Sequence, residues 1–178
     1  MGGKRLCIRV GWNSVNAHLV TGKGGAQWVS DILRINLDMR VSEGVGWGTQ
    51  RELFCGIAYT GWNGPNVWFH VAIVRGARMT PTFWAAAMDY PFNQLGVKRI
   101  SGLIDERNAD SRAFATHMGA RVEGVLQDAT DSGNLILYGL LKKDAQKWLT
   151  APYSKRLSTG SESGQPIQRK DAEPSTCT

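Results

Sequence analysis

The sequence predicts a mixed α/β (α+β) domain in which helices cover both faces of one central sheet. Three observations carry this expectation. Two β-rich runs, Leu53 to Trp62 and Asn66 to Val74, are joined by a Gly/Asn/Pro turn and read as an antiparallel hairpin. Both runs are apolar on both faces, as befits central strands sandwiched between helices. After Val74 the apolar period changes from two to nearly four, and strands and helices then alternate.

In chain order, Lys4 to Val10 is short and apolar-rich and predicts a first strand. Asn13 to Gly25 carries turn formers and the Gly24-Gly25 pair, and predicts a loop. Trp28, Ile32, Leu33 and Ile35 give a helical face to Ala26–Ile35. Val41 to Thr49 is glycine-rich and predicts a strand with a bulge or a turn. The hairpin follows.

Thr80 is then a good N-cap with Pro81 at home in the first helical position. Phe83, Trp84, Ala87, Met88 and Phe92 form one face of the helix, and Gly96 ends it. Val97 to Ile104 predicts a strand. Asn108 or Asp110 caps a helix that runs to Met118 and is closed by Gly119. Arg121 to Gln127 and Leu135 to Leu141 predict two strands about a polar turn, and Asp144 to Leu149 a last helical turn. The order is β, α, β-β hairpin, α, β, α, β, β. Residues 1–149 are read as one domain. Residues 150–178 are rich in Ser, Thr, Gly, Gln and Pro, a composition that predicts a disordered tail.

Composition limits the function classes. The formal charge is +6, from 21 Lys and Arg against 15 Asp and Glu. That balance suits an anionic cofactor and also admits nucleic acid as a partner, but no run of five like charges forms a nucleic-acid arm. Cys7, Cys55 and Cys177 are scattered without a CxxC pair, so neither a zinc cluster nor a disulfide framework is expected, and no metal is assigned. No stretch reaches the ~18 apolar residues of a spanning helix, and the N-terminus lacks the apolar run of a signal peptide. The expectation is a cytoplasmic protein, monomeric or homodimeric.

Two constellations carry chemistry. The turn Arg75-Gly76-Ala77-Arg78-Met79-Thr80 leads into a helix whose unpaired amides and partial positive charge form a ready anion site. It is neither a Walker loop nor G-x-G-x-x-G. Downstream, Asn108-Ala109-Asp110-Ser111 opens a second helix after a strand. Within the hairpin, alternation puts Trp68, His70, Ala72 and Val74 on one face and Val67, Phe69, Val71 and Ile73 on the other. His70 is the natural titrating group there.

The segment from Ala87 to Gly124 resembles the GNAT superfamily of N-acetyltransferases. It is most similar to the branch that acetylates ribosomal-protein N-termini and to its small phage relatives. The matching residues are Phe92-Asn93-Gln94-Leu95-Gly96 at a helix end, Lys98-Arg99-Ile100 opening a strand, Asn108 to Ser111 as N-x-x-S, and Gly119 to Gly124. Counted from the turn at Arg75, the specific part spans about 50 residues, and the flanking strands extend the likeness to residues 5–145.

The resemblance implies a sheet split like a V between the strand ending at Val74 and the strand Val97–Ile104, with acetyl-CoA as acyl donor lying between them. It implies that the backbone of the first strand, to Val74, pairs with the pantetheine arm. Arg75, Gly76, Ala77, Arg78, Met79 and Thr80 would cradle the pyrophosphate, and Asn108 with Ser111 would meet the cofactor from the other side. It implies transfer of acetyl to an amine, on a protein N-terminus or a small molecule.

Arg78 and Thr80 stand where the family's turn has glycines, and Ala115 stands where many members place a tyrosine that protonates the leaving thiolate. His70 is then the candidate base and Tyr138, in the last strand, the candidate replacement acid. Trp47, Tyr59 and Trp62 are candidates to line the acceptor groove. Two other readings stay open: a member of the fold that binds partners without catalysis, and a relative whose acceptor is a nucleobase.

Overall fold

A computed structural model describes residues 17–49, 51–77, 79–131 and 133–150. The predicted strand Lys4–Val10 and the polar tail lie outside the described residues.

One seven-stranded sheet organises the chain, in the order β1-β2-β3-β4-β5-β7-β6. Its strands are β1 (His18–Thr21), β2 (Glu43–Gly48), β3 (Leu53–Thr60), β4 (Asn66–Ile73), β5 (Arg99–Asp105), β6 (Arg121–Thr130) and β7 (Gly133–Leu141). The helices are α1 (Lys23–Leu33), α2 (Pro81–Asp89), α3 (Ala109–Met118) and the short α4 (Gln146–Leu149). Every strand pair is antiparallel except β4 with β5, which is parallel. The mixed, mostly antiparallel architecture expected from the sequence is the one found.

Helices cover both faces, and the strand alternation sorts the core accordingly. Ile57, Tyr59, Val67 and Ile100 bury against Phe83, Trp84, Met88 and Phe92 of α2 and its extension, and Met118 of α3 and Trp148 of α4 complete that cluster. On the opposite face Ala58 and Ala72 meet Ala26 and Val29 of α1. At ~25 cal/mol per Å² of apolar surface removed from water, the larger cluster dominates the stabilisation.

The N-terminal loop expectation is corrected. Asn13 to Gly25 includes β1, which pairs with β2, and the first three residues of α1. The partners of β1 lie some 25 residues away, so no local pattern announces it. Gly22, at φ 87, makes the turn into α1. Both Gly24 and Gly25 belong to the helix, and Gly25 is small because α1 rides close over β2, whereas Gly24 faces open space. A Cβ on Gly44 would lie 2.3 Å from Ala26 N and 2.7 Å from the carbonyl carbon of Gly25.

The predicted helix through Phe92 is also modified. The α-helix stops at Asp89 and continues as a π-helical turn, Tyr90–Gln94, closed by Leu95 N donating to Tyr90 O at 2.9 Å. Pro91 has no amide to return to Ala87 O, so the α pattern cannot continue there. The last hairpin is longer and tighter than its polar turn suggested. β6 reaches Thr130, with a register irregularity between Leu126 and Thr130 that includes Asp128 at φ 49.

Candidate functional site in the strand cleft

β4 and β5 pair over Asn66–Trp68 and Arg99–Ser101 only. Beyond those three residues each they diverge, and Phe69–Ile73 and Gly102–Asp105 face one another without a shared ladder. β4 keeps β3 on its other edge and β5 keeps β7. Each diverging strand therefore presents every second amide and carbonyl to the cleft without a strand partner.

A cavity of about 610 Å³ fills this cleft, within the usual range for small-ligand sites. Its walls are β4 and the following turn from Phe69 to Gly76, β5 from Ile100 to Asp105, and α3 through Asn108, Ser111, Phe114 and Ala115. Tyr138 of β7 closes it from the side. Ile32 and Leu33, at the end of α1, border it on the remaining flank and stay partly exposed.

His70 lines the cavity half-buried. Burial lowers its pKa from the ordinary 6.5, because the charged ring loses water that nothing charged replaces. Its Nε2 lies 3.0 Å from Thr60 Oγ1 on β3. Tyr138 is 4% exposed and stands directly opposite Gly102 in the ladder, where no side chain separates it from the strand that borders the cleft.

The turn after β4 is a type II turn: Ala77 N donates to Val74 O at 2.9 Å, with Gly76 in its third position at φ 88. Thr80 caps α2, its Oγ1 accepting from Phe83 N at 3.2 Å. Asn108 caps α3 in the same way, through Ser111 N at 3.0 Å. Asn108, Asp110 and Ser111 at the start of α3 line the cavity together with Arg75 and Asp105.

Neither a protein-family model nor a curated protein sequence matches the chain significantly. Solved structures do match. Mutant forms of the spermidine/spermine N-acetyltransferase SpeG from Vibrio cholerae superpose with a TM-score of 0.60 at 12% identity, covering 74% of this chain and 98% of theirs. The dodecameric spermidine N-acetyltransferase from the same organism gives 0.58 at 13% identity, over 78% of this chain and 99% of that one. The split between β4 and β5 decides the class. The fold is that of the GNAT acetyltransferases.

Within the GNAT fold, the residues expected at the cofactor divide. Val74, Arg75, Gly76, Asn108 and Ser111 line the cavity, as do His70 and Tyr138. Ala77, Met79 and Thr80 do not border it: the amide of Ala77 closes the turn, Met79 packs on the main cluster, and Thr80 caps the helix. Arg78 lies outside the described residues. Ala115 lines the cavity, so the position where the resemblance expects a tyrosine does face it.

The aromatic candidates for the acceptor groove are elsewhere. Tyr59 is in the core, Trp47 packs half-buried beside it, and Trp62 is 52% exposed with its indole N–H donating to Gly64 O at 3.2 Å. Cys55 is buried, its thiol pushed up to about 12 by desolvation, which leaves it inert. His117 is exposed on α3 against Trp148. Thr60 was not singled out from the sequence. Its signal was the hairpin register, which sets Thr60 opposite Trp68 and so diagonal to His70.

Proposed function

We propose that the chain is an acetyl-CoA-dependent N-acetyltransferase that moves an acetyl group directly to an amine. The observation that carries the reading is the cleft itself. Two sheet edges open face to face, with a titratable histidine, a tyrosine hydroxyl and an asparagine-capped helix N-terminus around one cavity. The unpaired edges fit a pantetheine arm, whose two amides can be met as a strand would meet them, and Gly76, Arg75 and the α3 N-terminus fit its phosphate-bearing end.

When bound, acetyl-CoA supplies the thioester carbonyl that the amine attacks. The residues of this chain do the rest. The cleft walls hold the reacting groups in line and exclude water. His70, neutral at pH 7, accepts the proton that the attacking nitrogen loses as its new C–N bond forms. The Tyr138 hydroxyl, with no tyrosine at position 115, donates a proton to the sulfur as the C–S bond breaks.

The acceptor is a protein N-terminus or a small-molecule amine. The residues from Ala87 to Gly124 that resemble the ribosomal-protein N-terminal branch and its phage relatives favour the first. Calorimetry with acetyl-CoA tests the donor, and absence of binding at millimolar cofactor overturns the proposal. A mass-spectrometric screen with labelled acetyl-CoA then identifies the acceptor.

Ala115 on the cavity wall supports a second reading, a GNAT-fold binding module without catalysis. Normal cofactor binding with no transfer to any amine would select it.

A further inference from the structure

Thr60 belongs to β3, outside every segment that the fold assigns to the cofactor, yet its hydroxyl lies 3.0 Å from His70 Nε2. Thr60 and His70 share a sheet face because Thr60 opposes Trp68 and His70 opposes Ala58 in the same ladder. Among the described residues, Nδ1 of His70 has no hydrogen-bond partner. We propose that Thr60 accepts a hydrogen bond from Nε2–H of His70 and so holds the tautomer whose Nδ1 lone pair is free for the proton of the acceptor amine.

The proton inventory of the ring fixes the two roles. A neutral imidazole carries one N–H, and the partner of one nitrogen sets the role of the other. If Thr60 accepts from Nε2–H, the bond survives unchanged when Nδ1 gains a proton, because the imidazolium still donates at Nε2. If Thr60 instead donated to Nε2, the proton would sit on Nδ1 and that nitrogen could not act as a base. A threonine also suits the task where a carboxylate would not. It fixes the ring without adding a negative charge, so the imidazole stays neutral. Among the described residues, the ring's neighbours on this surface carry no charge: Ala58 and Thr60 on β3, Ser101 on β5, and Ala26 and Val29 of α1, which covers the same face; Arg99 and Glu123 further along pair with each other at 2.5 Å. Thr60 is thus a positioning residue for the base, and the inference rests on the acetyltransferase reading of His70.

The test uses the whole chain labelled with 15N-histidine, the His70 signals being assigned by their loss in His70→Gln. At neutral pH the nitrogen shifts of His70 should report the Nε2–H tautomer. In Thr60→Val, which keeps the shape and removes the hydroxyl, the tautomers should mix and kcat should fall about tenfold to a hundredfold with KM nearly unchanged, less than the ~10²–10⁴-fold that a general base contributes in full. Thr60→Ser should restore both. A wild-type spectrum showing Nδ1–H, or a Thr60→Val spectrum identical to wild type, overturns the inference. If instead the spectra behave as expected while His70→Ala turns over normally, it is the base assignment that falls, so the two failures read differently.

Discussion

The hydroxyl of Tyr59 donates to the carbonyl oxygen of Ala87 at 2.6 Å. That carbonyl is the one Pro91 cannot satisfy, since its partner in an unbroken helix is the amide four residues on. A strand residue thus supplies the bond that the helix lacks, and it ties the core of the sheet to α2. Tyr59→Phe should lower the unfolding free energy by about 1–3 kcal/mol, the cost of a buried carbonyl left unmet. Chemical denaturation reads this directly. In a Pro91→Ala background the loss should shrink, because an amide is restored to Ala87; an undiminished loss would show that packing alone explains Tyr59.

Gly44→Ala should be among the most damaging single-methyl changes in the protein. The added carbon would meet backbone atoms of Ala26, Gly25 and Ile57, all within 2.8 Å, and none of these can rotate away. Overpacking typically costs about 1–3 kcal/mol, and a backbone-to-backbone clash sits at the upper end. Thermal melts should show it. Gly124→Ala, also in a strand and with nothing within 4 Å of the added methyl, is the control and should be nearly neutral by comparison.

Asn108 caps α3 and lines the cavity; under the proposed function it also meets the cofactor, and substitutions can part the two roles. Asn108→Ala removes the cap of α3, worth about 1 kcal/mol, and should also weaken acetyl-CoA binding in calorimetry. Asn108→Ser keeps a capping oxygen, so its stability should stay near wild type. If its cofactor affinity still falls, the amide side chain contacts the ligand; if affinity is unchanged, Asn108 is only a cap.

The depressed His70 pKa has a defined sign. Because the folded value lies below the unfolded one, the folded state binds fewer protons in the window between them. The neutral ring's contribution to stability is full above the ordinary 6.5 and is lost as pH falls through the folded value. Stability should therefore drop more steeply on acidification in wild type than in His70→Gln. The acid limb of kcat should fall below pH 6.5. A limb above 6.5 would require a different base.

Much of this was legible in the sequence, for reasons that differ residue by residue. The hairpin, the Thr80-Pro81 helix start, and the Asn108 to Gly119 helix are local signals, and each stands where expected. The glycine-rich run read as a strand with a bulge or a turn is β2, with its register shift between Trp47 and Gly48, but the reason for one of its glycines is not local: Gly44 is small for the sake of α1, which packs on it from a separate element. β1 was hidden for the same reason. The π-turn was written in Pro91, but its consequence needed Tyr59, 32 positions earlier. At the site, His70 could be chosen by chemistry and strand alternation, and Tyr138 and Asn108 only through the resemblance; all three line the cavity. Thr60 could not be chosen, since nothing about a threonine signals a partner until the strands are aligned.

The brief pairing of β4 with β5 has a mechanical consequence. Three residues on each strand join a four-stranded half, β1 to β4, to a three-stranded half, β5, β7 and β6. Whatever fills the cleft occupies the place of a missing interior strand and bridges the two halves. A ligand in the cavity would therefore do more than fill space: it would make the sheet continuous, and its departure would reopen a seam through the centre of the molecule.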